Sequence, residues 1–183
     1  MASLVSKCDV FFSDMVIRNT EHHLERLIRD IPWQYPLFYN RPIKRGVCSM
    51  GKDYAFSGIV MKAQPWDRQI QNLMFRINAK HNTRFNACLL NLYPDGDTSG
   101  ISKHSDDEAE LVTNPLVVSV SLGETCNFIL RNKQDMSEVV SISLKDGDVL
   151  VMGAGTQANY THEIAKKLYN KGGRISLTFR EFK

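Results

Sequence analysis

Between Ile101 and Leu111 the chain reads ISKHSDDEAEL, one histidine with three acids in the four positions after it. His104 and Asp106 are separated by one residue, so in an extended segment both side chains leave the same face and can share an ion. A second histidine, His162 in NYTHEI, follows after four predicted strands, enough chain to cross a sandwich and return. Two imidazoles and one carboxylate form the facial ligand set of non-haem Fe(II), with coordination positions left open for other ligands; zinc suits similar donors, so the triad alone does not fix the metal.

The segment RISLTFR supplies a second constellation. Arg174 and Arg180 are six apart, an even number, so they share a strand face with Ser176 and Thr178, while Ile175, Leu177 and Phe179 point into the opposite, apolar layer. At about 3.3 Å per residue the two arginine Cα atoms lie roughly 20 Å apart, close enough for long side chains leaning inward to grip both ends of a short dicarboxylate. Guanidinium is the group of choice for bidentate carboxylate binding.

The elements that must position these groups follow from length and periodicity. The chain has 183 residues, 43% hydrophobic and 23% charged, the size of one domain with a substantial core. Its longest apolar runs, such as PLVVSVSLG, are far shorter than the roughly 20 residues of a membrane-spanning helix, and MASLVSKCDVFFSDM lacks a continuous apolar leader core. No membrane association is expected. Cys8, Cys48, Cys88 and Cys126 stand about 40 residues apart without a CxxC pair, which argues for reduced thiols and not for a zinc site or a disulfide framework. The net charge is only +3, but residues 41 to 62 carry Arg41, Lys44, Arg45, Lys52 and Lys62 against Asp53 alone.

Thr20 is placed to cap a helix whose Leu24, Leu27, Ile28 and Ile31 form one apolar stripe, stopped by Pro32. A second helix is predicted from about Pro65 through Ile70, Leu73, Met74 and Ile77, ending at HNT. After Phe85 the chain turns to short Val-, Ile- and Leu-rich runs separated by Gly, Asn and Asp turns, which predicts a sandwich or barrel of about eight strands.

The ordered set NLYPDG, HSDDE, SVSLGETCNFIL, NYTHEI and RISLTFR resembles the AlkB family of Fe(II)- and 2-oxoglutarate-dependent dioxygenases over about residues 50 to 182. YAFSG and the acid two places beyond Asp106 are similar to the nucleic-acid demethylases of that family, and the compact chain resembles AlkB domains within plant RNA virus replicase polyproteins. The resemblance implies an α+β, mainly β fold: a double-stranded β-helix (jelly-roll) core at residues 85–183, preceded by N-terminal helices and a nucleotide-recognition lid at 1–84, in one domain.

It also implies roles. His104, Asp106 and His162 match the iron ligands. Asn91 and Tyr93 match the pair that hydrogen-bonds 2-oxoglutarate, with Arg174 on its distal carboxylate and Arg180 near the iron-chelating end. Ser176 stands where the family's RxNxTFR pattern has Asn, and a hydroxyl replaces only part of an amide's bonding capacity. Phe56 matches the aromatic that stacks on a flipped base, Tyr54 and Ser57 its pocket neighbours, and Glu108 the acid that meets the base's polar edge.

The activity implied is oxidative demethylation of N-alkylated bases such as 1-methyladenine and 3-methylcytosine in RNA or DNA. It consumes Fe(II)-bound 2-oxoglutarate and O2 and releases formaldehyde, succinate and CO2. A cationic methylated ring suits an aromatic stack and a nearby carboxylate. The expected setting is the cytoplasm, the host's if the chain is viral, with the protein acting as a monomer in viral RNA repair. An oxygenase that hydroxylates a protein or a tRNA base would keep the triad and both arginines and differ in its lid.

Overall fold

A computed structural model describes residues 9–38, 40–56 and 58–183, with Phe38 described in its backbone alone. The expected pocket residue Ser57 and the thiol of Cys8 lie outside the described residues.

The N-terminal part contains β1 (Val10–Phe12), α1 (Thr20–Asp30), β2 (Leu37–Phe38), β3 (Arg41–Pro42), β4 (Gly46–Met50), β5 (Tyr54–Phe56), β6 (Ile59–Met61), β7 (Ala63–Gln64) and α2 (Arg68–His81). It is followed by β8 (Ala87–Tyr93), β9 (Thr98–His104), β10 (Val117–Gly123), β11 (Cys126–Asn132), β12 (Val139–Leu144), β13 (Val149–Met152), α3 (Ala154–Asn159), β14 (Tyr160–Leu168) and β15 (Arg174–Arg180). Seven strands form a major sheet in the order β1-β13-β10-β15-β8-β4-β7, and four form a minor sheet in the order β12-β11-β14-β9. β2-β3 and β5-β6 are separate hairpins. This is the expected jelly roll, and its major sheet draws β1, β4 and β7 from the first 84 residues.

Strand alternation sorts the core into layers. Val118, Val120, Leu122, Ile175, Leu177 and Phe179 pack outward from the major sheet against Leu24, Leu27 and Ile31 of the α1 end and Ile70, Met74 and Ile77 of α2. Burying each of these side chains contributes about 1.5–3 kcal/mol. Between the two sheets lie Val117, Leu150 and Met152 from one side and Phe128, Leu130, Ile142, Leu144 and Ile164 from the other. A third cluster of Val47, Tyr54, Met61, Leu89, Leu111 and Phe182 anchors the β5-β6 hairpin.

Both helices start differently from the sequence expectation. Asn19, in the left-handed region at φ 54°, precedes α1, and Thr20 lies inside its first turn with Oγ1 donating to Asp146 Oδ2 at 2.5 Å. α2 begins three residues after Pro65, because the Asp67 carboxylate accepts from the Gln69 and Ile70 N–H groups. Arg26 grips the same carboxylate with two hydrogen bonds of 2.9 Å, joining the two helices. A capping acid of this kind contributes about 1 kcal/mol and outweighs a nearby proline as a start signal.

Two glycines let the site-bearing strands close up. A Cβ on Gly100 would stand 2.7 Å from Ile164 O and 2.9 Å from Lys166 Cα, where the β9–β14 register shifts. Gly173, at φ +77°, turns the chain into β15 where a Cβ would meet Tyr93 O at 2.6 Å. Cys48, Cys88 and Cys126 are buried free thiols, and burial pushes Cys48 up to about 11. Among the described residues no helix is long and apolar enough to cross a membrane.

Candidate active site

β9 and β14 run antiparallel with His104 directly opposite His162, so the pairing register delivers both imidazoles to one place. Their ring centroids are 4.2 Å apart, and Phe128 from β11 stacks on His162 at 5.2 Å. Asp106 follows on the loop after β9. One donor atom each from His104, Asp106 and His162 falls within 4.8 Å of the others.

Hydrogen bonds prepare these groups as ligands. His104 Nδ1 lies 2.8 Å from Ser102 O; donation to this carbonyl leaves Nε2 with its lone pair free. Asp106 is 1% exposed; its Oδ1 accepts from Arg180 Nη2 at 2.8 Å, and its Oδ2 is buried with no partner. Burial works most strongly against ionisation of Asp106, but the Arg180 guanidinium together with His162 and His104 outweighs it and holds the carboxyl down to about 2. Burial lowers His162 to about 4, keeping its imidazole neutral and basic toward a metal. An ionised carboxylate with a free buried oxygen beside two imidazoles, that of His162 held neutral, is a donor set that suits Fe(II).

The inner face of the major sheet holds a polar patch. β8 and β15 set Tyr93 opposite Arg174 and Asn91 opposite Ser176, so the expected co-substrate residues share one buried face. Arg174 is 0% exposed, its guanidinium lies 5.0 Å over the Tyr93 ring, and Nη2 donates to Ser121 Oγ at 3.0 Å. Its Nε and Nη1 are buried with no partner. A buried guanidinium with two idle donors is costly unless an anion meets them, and a carboxylate matches that fork. The residues therefore fit a 2-oxo dicarboxylate as well as the metal.

The residues expected to face a base assemble by a route that alternation does not supply. β9 ends at His104, so Glu108 reaches the site across an irregular loop, where its Oε1 accepts from the Tyr54 hydroxyl. Arg180 lies 5.1 Å over the Tyr54 ring, and the Tyr54 and Phe56 rings are 6.1 Å apart. Phe56 is half-buried, which leaves part of its ring open. Asp107 and Glu110 are exposed. The basic segment is weaker than its composition: Lys44 pairs with Asp97 and Lys62 with Asp53, while Arg45 turns inward to Asn91.

Four contributors are not apparent from sequence. Arg45 Nε donates to Asn91 Oδ1 at 2.7 Å, orienting that carboxamide. Ser121 holds Arg174. Gln157 of α3 is 4% exposed and accepts the Asp106 N–H through Oε1 at 2.8 Å. Tyr169 is fully buried against Tyr93, with centroids 5.3 Å apart. The only sequence signal was the uncharged polar run GTQAN before the second histidine.

A jelly roll with a metal triad at the mouth and an anion-seeking arginine deep between the sheets defines an Fe(II)/2-oxo-acid oxygenase. The model of the 2OG-Fe(II) oxygenase superfamily matches residues 17–180, and this chain belongs to that superfamily, in its AlkB branch. It is 30% identical over 192 residues to alpha-ketoglutarate-dependent dioxygenase alkB homolog 3 of Homo sapiens, an alignment that covers 96% of this chain and 66% of that protein. It is 31% identical over 138 residues to DNA oxidative demethylase ALKBH2 of Bos taurus, covering 72% of this chain and 49% of that protein. The chain thus spans just under two thirds, or less, of these relatives' lengths. The solved structure of OsALKBH1 shares the fold at a TM-score of 0.63 and 19% identity, covering 94% of this chain and 97% of that one.

Proposed function

We propose that this chain removes N-alkyl groups oxidatively from bases such as 1-methyladenine and 3-methylcytosine in RNA or DNA. The observation that carries the reading is the Tyr54–Glu108 pair beside Phe56, tied through Arg180 to the metal-ligand Asp106. A carboxylate and an open aromatic ring at the edge of a metal site suit a planar cation, which a base methylated on its pairing edge becomes. Both named relatives carry dioxygenase or demethylase descriptions that support this class.

His104, Asp106 and His162 would hold Fe(II), and Arg174, Asn91 and Tyr93 would hold 2-oxoglutarate. With O2 these groups supply the oxidation that converts an N-methyl carbon to a hydroxymethyl group, which leaves as formaldehyde while 2-oxoglutarate becomes succinate and CO2. The chain's own residues do the rest. Phe56 offers its ring to the base, Glu108 attracts the cationic ring, and the Tyr54 hydroxyl fixes the Glu108 carboxylate. Arg180 holds Asp106 ionised and turned toward the metal position.

We further infer a place in viral RNA repair in the host cytoplasm. It rests on the resemblance to the domains carried by plant RNA virus replicases. In this reading residues 1–84 supply the N-terminal helices and the recognition lid along with strands β1, β4 and β7 of the major sheet, residues 85–183 supply the rest of the jelly-roll catalytic core, and the protein acts as a monomer.

Formaldehyde release from 1-methyladenine oligoribonucleotides and oligodeoxyribonucleotides, with Asp106→Ala as control, tests the substrate class. Release above the control on either polymer is expected. Silence on both, with wild-type protein that still turns over 2-oxoglutarate, would move the substrate to a protein or tRNA.

A further inference from the structure

Tyr169 follows β14 in the turn that leads to Arg174, and its backbone is locked there. Its N–H donates to Asp97 O at 3.1 Å, and its carbonyl accepts from Gly96 N–H at 2.7 Å. The side chain is different. It is 0% exposed, the ring packs on Tyr93, Lys167 covers it at 4.8 Å, and the hydroxyl is buried with no hydrogen-bond partner. A tyrosine placed so deep normally finds a partner for its O–H.

The orphan hydroxyl is not isolated. Tyr169 and Arg174 both pack on the Tyr93 ring, and Arg174 is the charge that acts most strongly on Tyr169. The Arg174 Nε and Nη1 are likewise buried and unpartnered. The Tyr93 hydroxyl faces Ser176 but stands outside hydrogen-bond geometry with it. Polar groups from β8, β15 and the segment after β14 thus lie around one buried ring, and these four atoms are paired neither with one another nor with any other described group. Two idle hydroxyls beside an idle guanidinium suit an anion, and the Arg174 fork suits a carboxylate.

We propose that the Tyr169 hydroxyl donates to the distal carboxylate of 2-oxoglutarate beside Arg174, and so serves as a selectivity residue for the co-substrate. This rests on the cofactor assignment made above. The contacts of His104, Asp106 and His162 run to Ser102, Arg180, Gln157 and Phe128, so the effect of Tyr169 is expected at the end of the co-substrate away from the metal.

The test uses the full chain with Mn(II) in place of iron, comparing wild type and Tyr169→Phe by calorimetric titration. The two ligands are 2-oxoglutarate and 2-oxobutyrate, which shares the 2-oxo acid end and lacks the distal carboxylate. A hydrogen bond to a charged group implies that Tyr169→Phe weakens 2-oxoglutarate binding about tenfold or more. Binding of 2-oxobutyrate and of Mn(II) should stay within about twofold, and the melting temperature of the ligand-free protein should hold or rise, because an unpaired buried hydroxyl has been removed.

Equal 2-oxoglutarate affinity in the two proteins overturns the proposal. So does parallel loss for both ligands together with a lower melting temperature, which would make the hydroxyl structural. If wild-type protein with Mn(II) binds 2-oxoglutarate no better than 2-oxobutyrate, the assignment of Arg174 itself fails, a result distinct from either.

Discussion

Arg180→Met isolates what the buried ion pair does. Arg180 Nη2 lies 2.8 Å from Asp106 Oδ1, with the two side chains 5% and 0% exposed. Methionine keeps much of the stem and removes the charge, leaving the Asp106 carboxylate in a dry pocket with neither oxygen paired by a side chain. Breaking a buried pair in this way costs about 3–5 kcal/mol, because the surviving charge is uncompensated. Asp106 is held down to about 2 because Arg180, His162 and His104 together outweigh burial, so without Arg180 its pKa should climb.

A divalent ion supplies the missing positive charge. The same guanidinium that stabilises the metal-free site repels an incoming cation. Urea unfolding at pH 7.5, in chelator and in saturating Mn(II), should therefore show a large loss in the metal-free variant that shrinks once Mn(II) is bound. The reasoning fails if Arg180→Met costs under about 1 kcal/mol in chelator, the range of an exposed pair, or if Mn(II) leaves the gap unchanged.

Acid should destabilise the metal-free protein in two windows. His162 titrates near 4 when folded, against 6.5 for an unperturbed imidazole, so its stabilisation is full above 6.5 and lost as pH falls toward 4, on the order of 3 kcal/mol. Asp106, at about 2 against 3.8, adds a loss only below 3.8. Urea titrations at pH 7.5 and 5 should show the first window, and His162→Asn should flatten it. Gln157→Leu removes the acceptor of the Asp106 N–H and should weaken Mn(II) binding about tenfold in calorimetry; unchanged affinity would mean that the loop holds itself. Phe56→Ala should suppress formaldehyde release from a methylated oligonucleotide while succinate still forms, whereas equal loss of both would make Phe56 structural.

The parts of the site that obey strand alternation were legible in sequence. Asn91 with Tyr93, and Arg174 with Ser176 and Arg180, share a face because residues two apart on a strand must do so. The His104–His162 meeting needed the β9–β14 register, which sequence suggests only through the count of strands between. Glu108 was named through the resemblance alone; strand alternation stops at His104, and loop geometry and the Tyr54 hydroxyl place its carboxylate. Gln157, Arg45 and Tyr169 were invisible because each approaches from an element whose position is set by tertiary packing. Surface charge misled for the same reason, since Lys44 finds its acid 53 residues away in sequence.

The central claim is that His104, Asp106 and His162 hold iron in contact with a 2-oxo acid anchored by Arg174. Anaerobic addition of Fe(II) and 2-oxoglutarate to the full chain tests it most directly, through the weak visible charge-transfer band of a chelated 2-oxo acid. Wild-type protein should develop the band and His104→Ala should not. A wild-type protein that binds iron yet gives no band with 2-oxoglutarate would contradict the account.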